Sequence, residues 1–114
     1  MTTTIASKYN LIFIEPRGRG RGTIQSAKDL HENDFLSSIQ DIHIGECEYL
    51  IEELDKAQQG KQYEQYPSFD WADLDIELNY PNVQLYDVII PITEFKLLLL
   101  EWIDFNRKYN KNIL

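Results

Sequence analysis

The densest chemistry in the chain is the run Asp70-Trp71-Ala72-Asp73-Leu74-Asp75-Ile76-Glu77. Read as a strand, it turns Leu74, Ile76 and Leu78 inward and lines Asp73, Asp75 and Glu77 along the outer face. Side chains on one strand face repeat at roughly 6.5–7 Å, about twice the rise per residue. Three carboxylates at that interval resemble the charge pattern of successive phosphates. Trp71, at the mouth of the ladder, is an aromatic of the kind that dominates interface energetics. The same pattern also suits a solvated strand face kept charged against edge pairing, and the residues alone leave both readings open.

The remaining chemistry-bearing residues form no complete set. His31, His43 and Cys47 are metal-ligand types, but a zinc site wants four ligands at recognisable spacing, and there is no C-x-x-C or H-x-x-x-H pair. Cys47 also belongs to an apolar helical stripe, which makes it a core residue. No Cys or His sits in a nucleophile-elbow context. Paired carboxylates are abundant, but an acidic stretch always offers pairs, so their number assigns no acid or base. No enzyme, metal or cofactor is expected. The loop Pro16-Arg17-Gly18-Arg19-Gly20-Arg21-Gly22 follows a predicted strand, where a phosphate cradle would sit. It is neither G-x-G-x-x-G nor a P-loop, and 114 residues hold too few βα units for a dinucleotide fold. Arg17, Arg19 and Arg21 instead supply the alternative reading, a small RNA-associated adaptor using an arginine–glycine loop.

Charge separates these readings. The net charge is −8, from nineteen acids and eleven bases, and the excess is local. Residues 1–28 carry one acid and five bases, residues 29–77 fourteen acids and two bases, and residues 78–114 four of each. The central block repels phosphate backbones, so direct nucleic-acid binding is not expected. A basic protein would be attracted and steered towards it.

The elements that must position these residues fit one domain. A chain of 114 residues, 43% hydrophobic and 12% aromatic, can bury a core without staples. The single cysteine excludes an internal disulfide framework and fits a reducing compartment. Met1 to Lys8 shows no basic leader followed by an apolar run. The longest apolar stretch, Leu97 to Leu100, is far short of the ~20 residues a membrane span needs. A soluble cytoplasmic protein is the expectation.

Tyr9 to Glu15 reads as a buried strand ended by Pro16. Residues 28–40 have partial helical spacing and are assigned a short helix. Gly45 to Gln59 place Cys47, Leu50, Ile51, Leu54 and Ala57 on one stripe, with Glu46 and Glu48 in the first turn and Gly60 as the stop. Residues 74–80 and 84–90 form a hairpin about Pro81-Asn82, and Val88-Ile89-Ile90, apolar on both faces, is expected to be central. Thr93 is the expected N-cap of a helix over 94–109, with Ile92 and Leu97 as a hydrophobic staple. That helix buries Phe95, Leu98, Leu99, Trp102, Phe105 and Tyr109. Leu97 and Leu100 point elsewhere, and coverage by the 28–40 segment or a loop is expected. The fold class is α+β, a small, mainly antiparallel sheet packed against two or three helices in a single domain.

The order of acidic helix, acidic strand, Leu85-Tyr86-Asp87-Val88-Ile89-Ile90-Pro91-Ile92 and Thr93-Glu94-Phe95-Lys96-Leu97-Leu98-Leu99-Leu100-Glu101-Trp102 resembles small immunity proteins encoded beside bacterial contact-dependent growth inhibition and related polymorphic toxins. The likeness covers roughly residues 70–105. It implies a cytoplasmic protein that binds one cognate toxin domain, often a nuclease, and blocks it. A nuclease presents basic groups to phosphates, which an acidic face can occupy. On this reading Asp70, Trp71, Asp73, Asp75 and Glu77, with Glu48, Glu52 and Asp55 on the helix, are the candidate partner contacts.

Overall fold

The computed structural model describes residues 4–9, 11–15, 22–26, 39–69, 74–86 and 88–109. Apolar residues recurring every three or four positions build the two long helices, α2 (Ile44–Gln58) and α3 (Ile92–Tyr109). In α2 the buried set is Ile44, Cys47, Leu50, Glu53, Leu54 and Ala57. His43 caps its start, with ring Nδ1 accepting from the Gly45 amide at 3.3 Å. Its end is a Schellman motif. Gly60, at φ 74°, donates to the Ala57 carbonyl at 3.2 Å, and Lys61 donates to that of Lys56 at 2.8 Å.

The strands form two antiparallel sheets where one was expected, and the α+β class is as read from the sequence. β1 (Leu11–Ile14) pairs with β2 (Thr23–Ser26), Leu11 opposite Ser26 and Ile14 opposite Thr23. The side-chain amide of Gln40, in a short 3₁₀ turn over 39–41, brackets β2, accepting from the Ile24 amide at 3.1 Å and donating to its carbonyl at 3.4 Å. That turn falls at the end of the helix assigned to 28–40. Residues 28–38 of that assignment lie outside the described residues.

The second sheet, in the order β3-β4-β5, is a meander of β3 (Ile76–Asn79), β4 (Asn82–Leu85) and β5 (Val88–Pro91). The continuous arm expected over 84–90 is therefore two strands. Leu85 pairs with Val88 across a tight turn in which Tyr86 takes φ 56°. Side-chain parity requires the break: Val83, Leu85, Val88 and Ile90 are all buried, and an unbroken strand would send 85 and 88 to opposite faces. β5 is consequently an edge strand, not a central one, and Ile89 is 63% exposed on its outer face.

α3 starts directly off β5. Ile92, 1% exposed, is already helical and donates to the Pro81 carbonyl at 2.9 Å, so Thr93 lies in the first turn rather than at the cap. The neighbouring β3–β4 turn satisfies an amide that a cap would otherwise have served. The expected staple is missing its second half, since Leu97 is 48% exposed.

α3 packs on β4 and β5 of the three-stranded sheet and α2 packs against α3, and Leu50, Leu54, Leu78, Leu85, Phe95 and Leu98 belong to one core. Fully enclosed Trp102 carries this core across to β1. Its ring centroid lies 5.1 Å from that of Phe13, edge-on, and 6.1 Å from that of Phe105, stacked. A four-residue helix, α1 (Ile5–Lys8), lies against α3 and β1 with Thr4 as its N-cap.

Candidate functional site

The spacing of Glu48, Glu52 and Asp55 puts all three on the side of α2 away from its core stripe. Two of them face α3. Glu48 is paired with Arg107 and Asp55 with Lys96, so antiparallel helices are joined by an ion pair near each end. All four side chains are 30–51% exposed, and such pairs contribute only about 0–1 kcal/mol each. Their effect on the surface field is larger, because each carboxylate is neutralised within the fold. Glu52 is exposed and has no ion-pair partner among the described residues.

The carboxylates of the strand ladder are arranged differently. β3 begins at Ile76, so exposed Asp75 precedes it, and the Asp75 carbonyl accepts from the Tyr86 amide at 2.8 Å. Glu77 lies on the outer face as expected, but it is held. Its Oε2 accepts from Asn79 Nδ2 at 2.6 Å and Gln65 Nε2 at 2.9 Å. Gln65 also covers the free edge of β3, its carbonyl accepting from the Leu78 amide at 2.7 Å. That edge is thus already blocked, and charge is not needed to block it. Asp70, Trp71 and Asp73 lie outside the described residues. The helix trio and the strand pair do not share a face. Glu77 sits opposite buried Ile76 and Leu78 on β3, whereas Glu52 points away from the core on α2.

Glu53 fastens the loop that does this covering. Its side chain is 5% exposed, and it accepts from Lys56 Nζ at 2.7 Å and from the Glu64 amide at 2.9 Å. The Lys56 ammonium holds the Glu53 carboxyl below the usual carboxylate range, the Glu64 amide adds to this, and burial opposes it. Burial, with the nearby charges of Glu53 and Glu64, pushes the Tyr49 hydroxyl up.

The outer face of α3 was expected to be covered. Instead Leu97 and Leu100 are 48% and 42% exposed, three residues apart on one face with exposed Thr93 and Asp104. The Lys96–Asp55 and Arg107–Glu48 pairs and then Glu52 border this strip on the α2 side. On the α1 side it runs to Glu101 and Lys108. The result is an apolar centre with a charged rim, the usual anatomy of a protein interface.

A cavity of about 400 Å³ opens at that second border, walled by Ala6, Leu11, Phe13 and Phe105 with Asp104 and Lys108 at its mouth. α1 is pinned over it. Glu101 accepts from the Ile5 and Ala6 amides at 2.9 and 3.0 Å, supplying a carboxylate where the helix N-terminus favours one. Glu94 pairs with Lys8 and accepts from the Tyr9 hydroxyl. Lys8 and Tyr9 hold the Glu94 carboxyl down, while burial and Glu94 push the Tyr9 hydroxyl far up.

The other sequence candidates have structural explanations where they are described. Cys47 is fully buried in the core and His43 is a helix cap. Among the described residues no group of three His, Cys, Asp or Glu side chains is placed to hold a metal ion. Arg17, Arg19 and Arg21 lie outside the described residues, but Gly22, at the end of that loop, is accounted for by packing. A Cβ there would stand 2.7 Å from the Ile14 carbonyl oxygen and 2.8 Å from the Phe105 ring. The Gly22 amide donates at 3.0 Å to buried Asn106, whose own amide donates to the Trp102 carbonyl at 2.9 Å.

Sequence reasoning passed over Glu94, Glu101 and Asn106, and took Glu53, with the other carboxylates of 46–55, as a surface contact where it is a buried anchor. One signal was available: Asn106 falls on the buried stripe of α3, where a polar residue must find partners. No described helix is long and apolar enough to cross a membrane. Compared with known proteins, the chain matches no family model, no curated protein and no solved structure.

Proposed function

We propose that this chain is an immunity protein. It acts in the cytoplasm by stoichiometric binding to a basic toxin domain, most simply a nuclease, and it does so through the outer face of α3. The observation that carries the reading is the pair of half-exposed leucines, Leu97 and Leu100, set between Glu52 on α2 and Asp104 on α3. Two half-exposed leucines side by side with a charged rim give the apolar centre and polar border that protein interfaces have. The excess acid draws a basic partner from a distance, and the leucines then set how long it stays. Asp75 and Glu77, at the start of β3, add to the long-range field, and Asp70, Trp71 and Asp73 remain candidate contacts from the sequence.

The test is co-expression. The C-terminal domain of the adjacent upstream reading frame is produced in a test bacterium with and without this protein, and growth is followed. Growth arrest relieved by the protein is the expected result. A variant carrying Leu97→Lys and Leu100→Lys should lose protection while unfolding at the same temperature, since it sets like charges against the partner at exposed positions. Reversing Asp73, Asp75 and Glu77 to Lys should slow association and leave protection largely intact. A harmless domain, or toxicity untouched by this protein, removes the immunity reading. Protection abolished by the strand reversals but indifferent to the leucines would move the interface to β3.

A further inference from the structure

We propose that the cavity between α1, β1 and α3 receives an aromatic side chain that the protein partner carries next to a basic residue. This deepens the binding reading above and rests on it for the partner's charge. At about 400 Å³ the cavity lies near the lower end of ligand-site volumes, room for one large side chain rather than a nucleotide or an extended cofactor. Its lining is mostly apolar, with Thr4, Ser7 and three charged residues completing it. The Phe13 and Phe105 rings meet edge-to-face with centroids 5.4 Å apart and both already contact Trp102, so a ring entering beside them extends an aromatic cluster in an arrangement such groups prefer.

The mouth selects the neighbour of that ring. Each oxygen of Glu101 accepts one amide, from Ile5 and Ala6, so the carboxylate is fixed in place and keeps its charge beside the mouth. Asp104 is exposed and has no ion-pair partner among the described residues, and it is the more open carboxylate for a cation to meet.

The site is preformed, because α1 is held to α3 by Glu101 and capped by Thr4, and a preformed wall needs no ordering on binding. It also continues the α3 strip. Leu97 precedes Glu101 by about one helical turn, roughly 6 Å along the axis. A partner segment lying over Leu97 and Leu100 therefore reaches the cavity within a few residues.

The experiment titrates the whole protein, isotopically labelled, with acetyl-Phe-Arg-amide and follows backbone amide and ring resonances. Saturable shifts at Ala6, Leu11, Phe13 and Phe105 are expected. Acetyl-Ala-Arg-amide should lose them, and acetyl-Phe-Gln-amide or Asp104→Asn should weaken binding roughly two- to fivefold, as an exposed charge pair allows. Ser7→Trp, which adds bulk at the rim of the cavity, should block the peptide while leaving circular dichroism unchanged. No saturable shift, or equal shifts from the alanine peptide, overturns the proposal without needing any variant. Growth protection is read independently: protection without peptide binding removes the cavity and keeps immunity, whereas peptide binding without protection keeps the cavity and removes immunity.

Discussion

Glu53→Gln isolates one charge while nearly preserving shape, and the structure fixes what it should do. The wild-type carboxylate, 5% exposed, accepts from the Glu64 amide at 2.9 Å and from Lys56 at 2.7 Å. A glutamine oxygen can still accept from Glu64, but the bond becomes neutral. Hydrogen bonds to charged groups contribute about 1.5–3 kcal/mol and neutral ones about 1, so the change there is about 1 kcal/mol. Lys56 is 46% exposed at i+3 and adds only a few tenths. The sum is about 1–1.5 kcal/mol at neutral pH, and Glu53→Ala, which leaves the Glu64 amide without its acceptor, should cost about 2–3.

The sign with pH follows from the lowered carboxyl. A group depressed in the folded state stabilises fully above its unfolded value, about 4.3, and loses that contribution as pH falls through the folded value. Urea unfolding of wild type and Glu53→Gln at pH 7 should therefore differ by the stated amount, and the difference should shrink towards zero in acid. Hydrogen exchange at the Leu78 amide, which Gln65 covers, should quicken in Glu53→Ala because the loop that Glu53 fastens is released. A difference that is absent at pH 7, or that persists undiminished in acid, would refute the assignment of Glu53 as a charged anchor.

Two further outcomes follow from packing and capping. Gly22→Ala places a methyl 2.7 Å from the Ile14 carbonyl oxygen and 2.8 Å from the Phe105 ring, so thermal unfolding should show a loss of about 1–3 kcal/mol. An unchanged midpoint would mean that glycine is not required there for space. Glu101→Ala leaves the Ile5 and Ala6 amides without their acceptor, and their hydrogen exchange should quicken by roughly tenfold, the equivalent of about 1.4 kcal/mol. The α2 amides serve as the unaffected reference, and unchanged exchange at Ile5 and Ala6 would show that α1 is held by other contacts.

What could be read ahead of the structure was local. The stripe through Cys47, Leu50, Leu54 and Ala57 and the stop at Gly60 specify α2 because each acts within one or two turns. The same holds for α3 from Phe95 to Trp102 and for β1. The turn at Tyr86 was missed because neither Gly nor Asn takes the positive φ; an aromatic residue does. The parity change from Val83 and Leu85 to Val88 and Ile90 was nevertheless visible, and it alone would have split the arm. The pairing of the carboxylates was not legible at all. Nothing near Glu48 or Asp55 in the sequence announces Arg107 or Lys96, and Glu101 finds its partners 95 and 96 residues away.

That non-local pairing changes what the acidity can mean. Counted along the chain, the block at 29–77 promises one strongly negative face. In the fold, Glu48, Glu53, Asp55 and Glu94 meet cations of the same chain, Glu101 meets backbone amides, and Glu77 is held by neighbouring side chains. Among the described residues the carboxylates without an ion pair are scattered over several elements, Glu52 on α2, Asp104 on α3 and Asp75 ahead of β3 among them. Charge at that density steers an encounter, and its reach ends within about 8–10 Å in physiological salt. It cannot by itself hold a complex. Residence must come from apolar surface that is dry once covered, and beside Glu52 and Asp104 that surface is Leu97, Leu100 and the aromatic cavity under α1. Among the described residues the α3 face joins free carboxylates to both an apolar strip and a concave pocket, which is the ground for proposing it over the strand ladder.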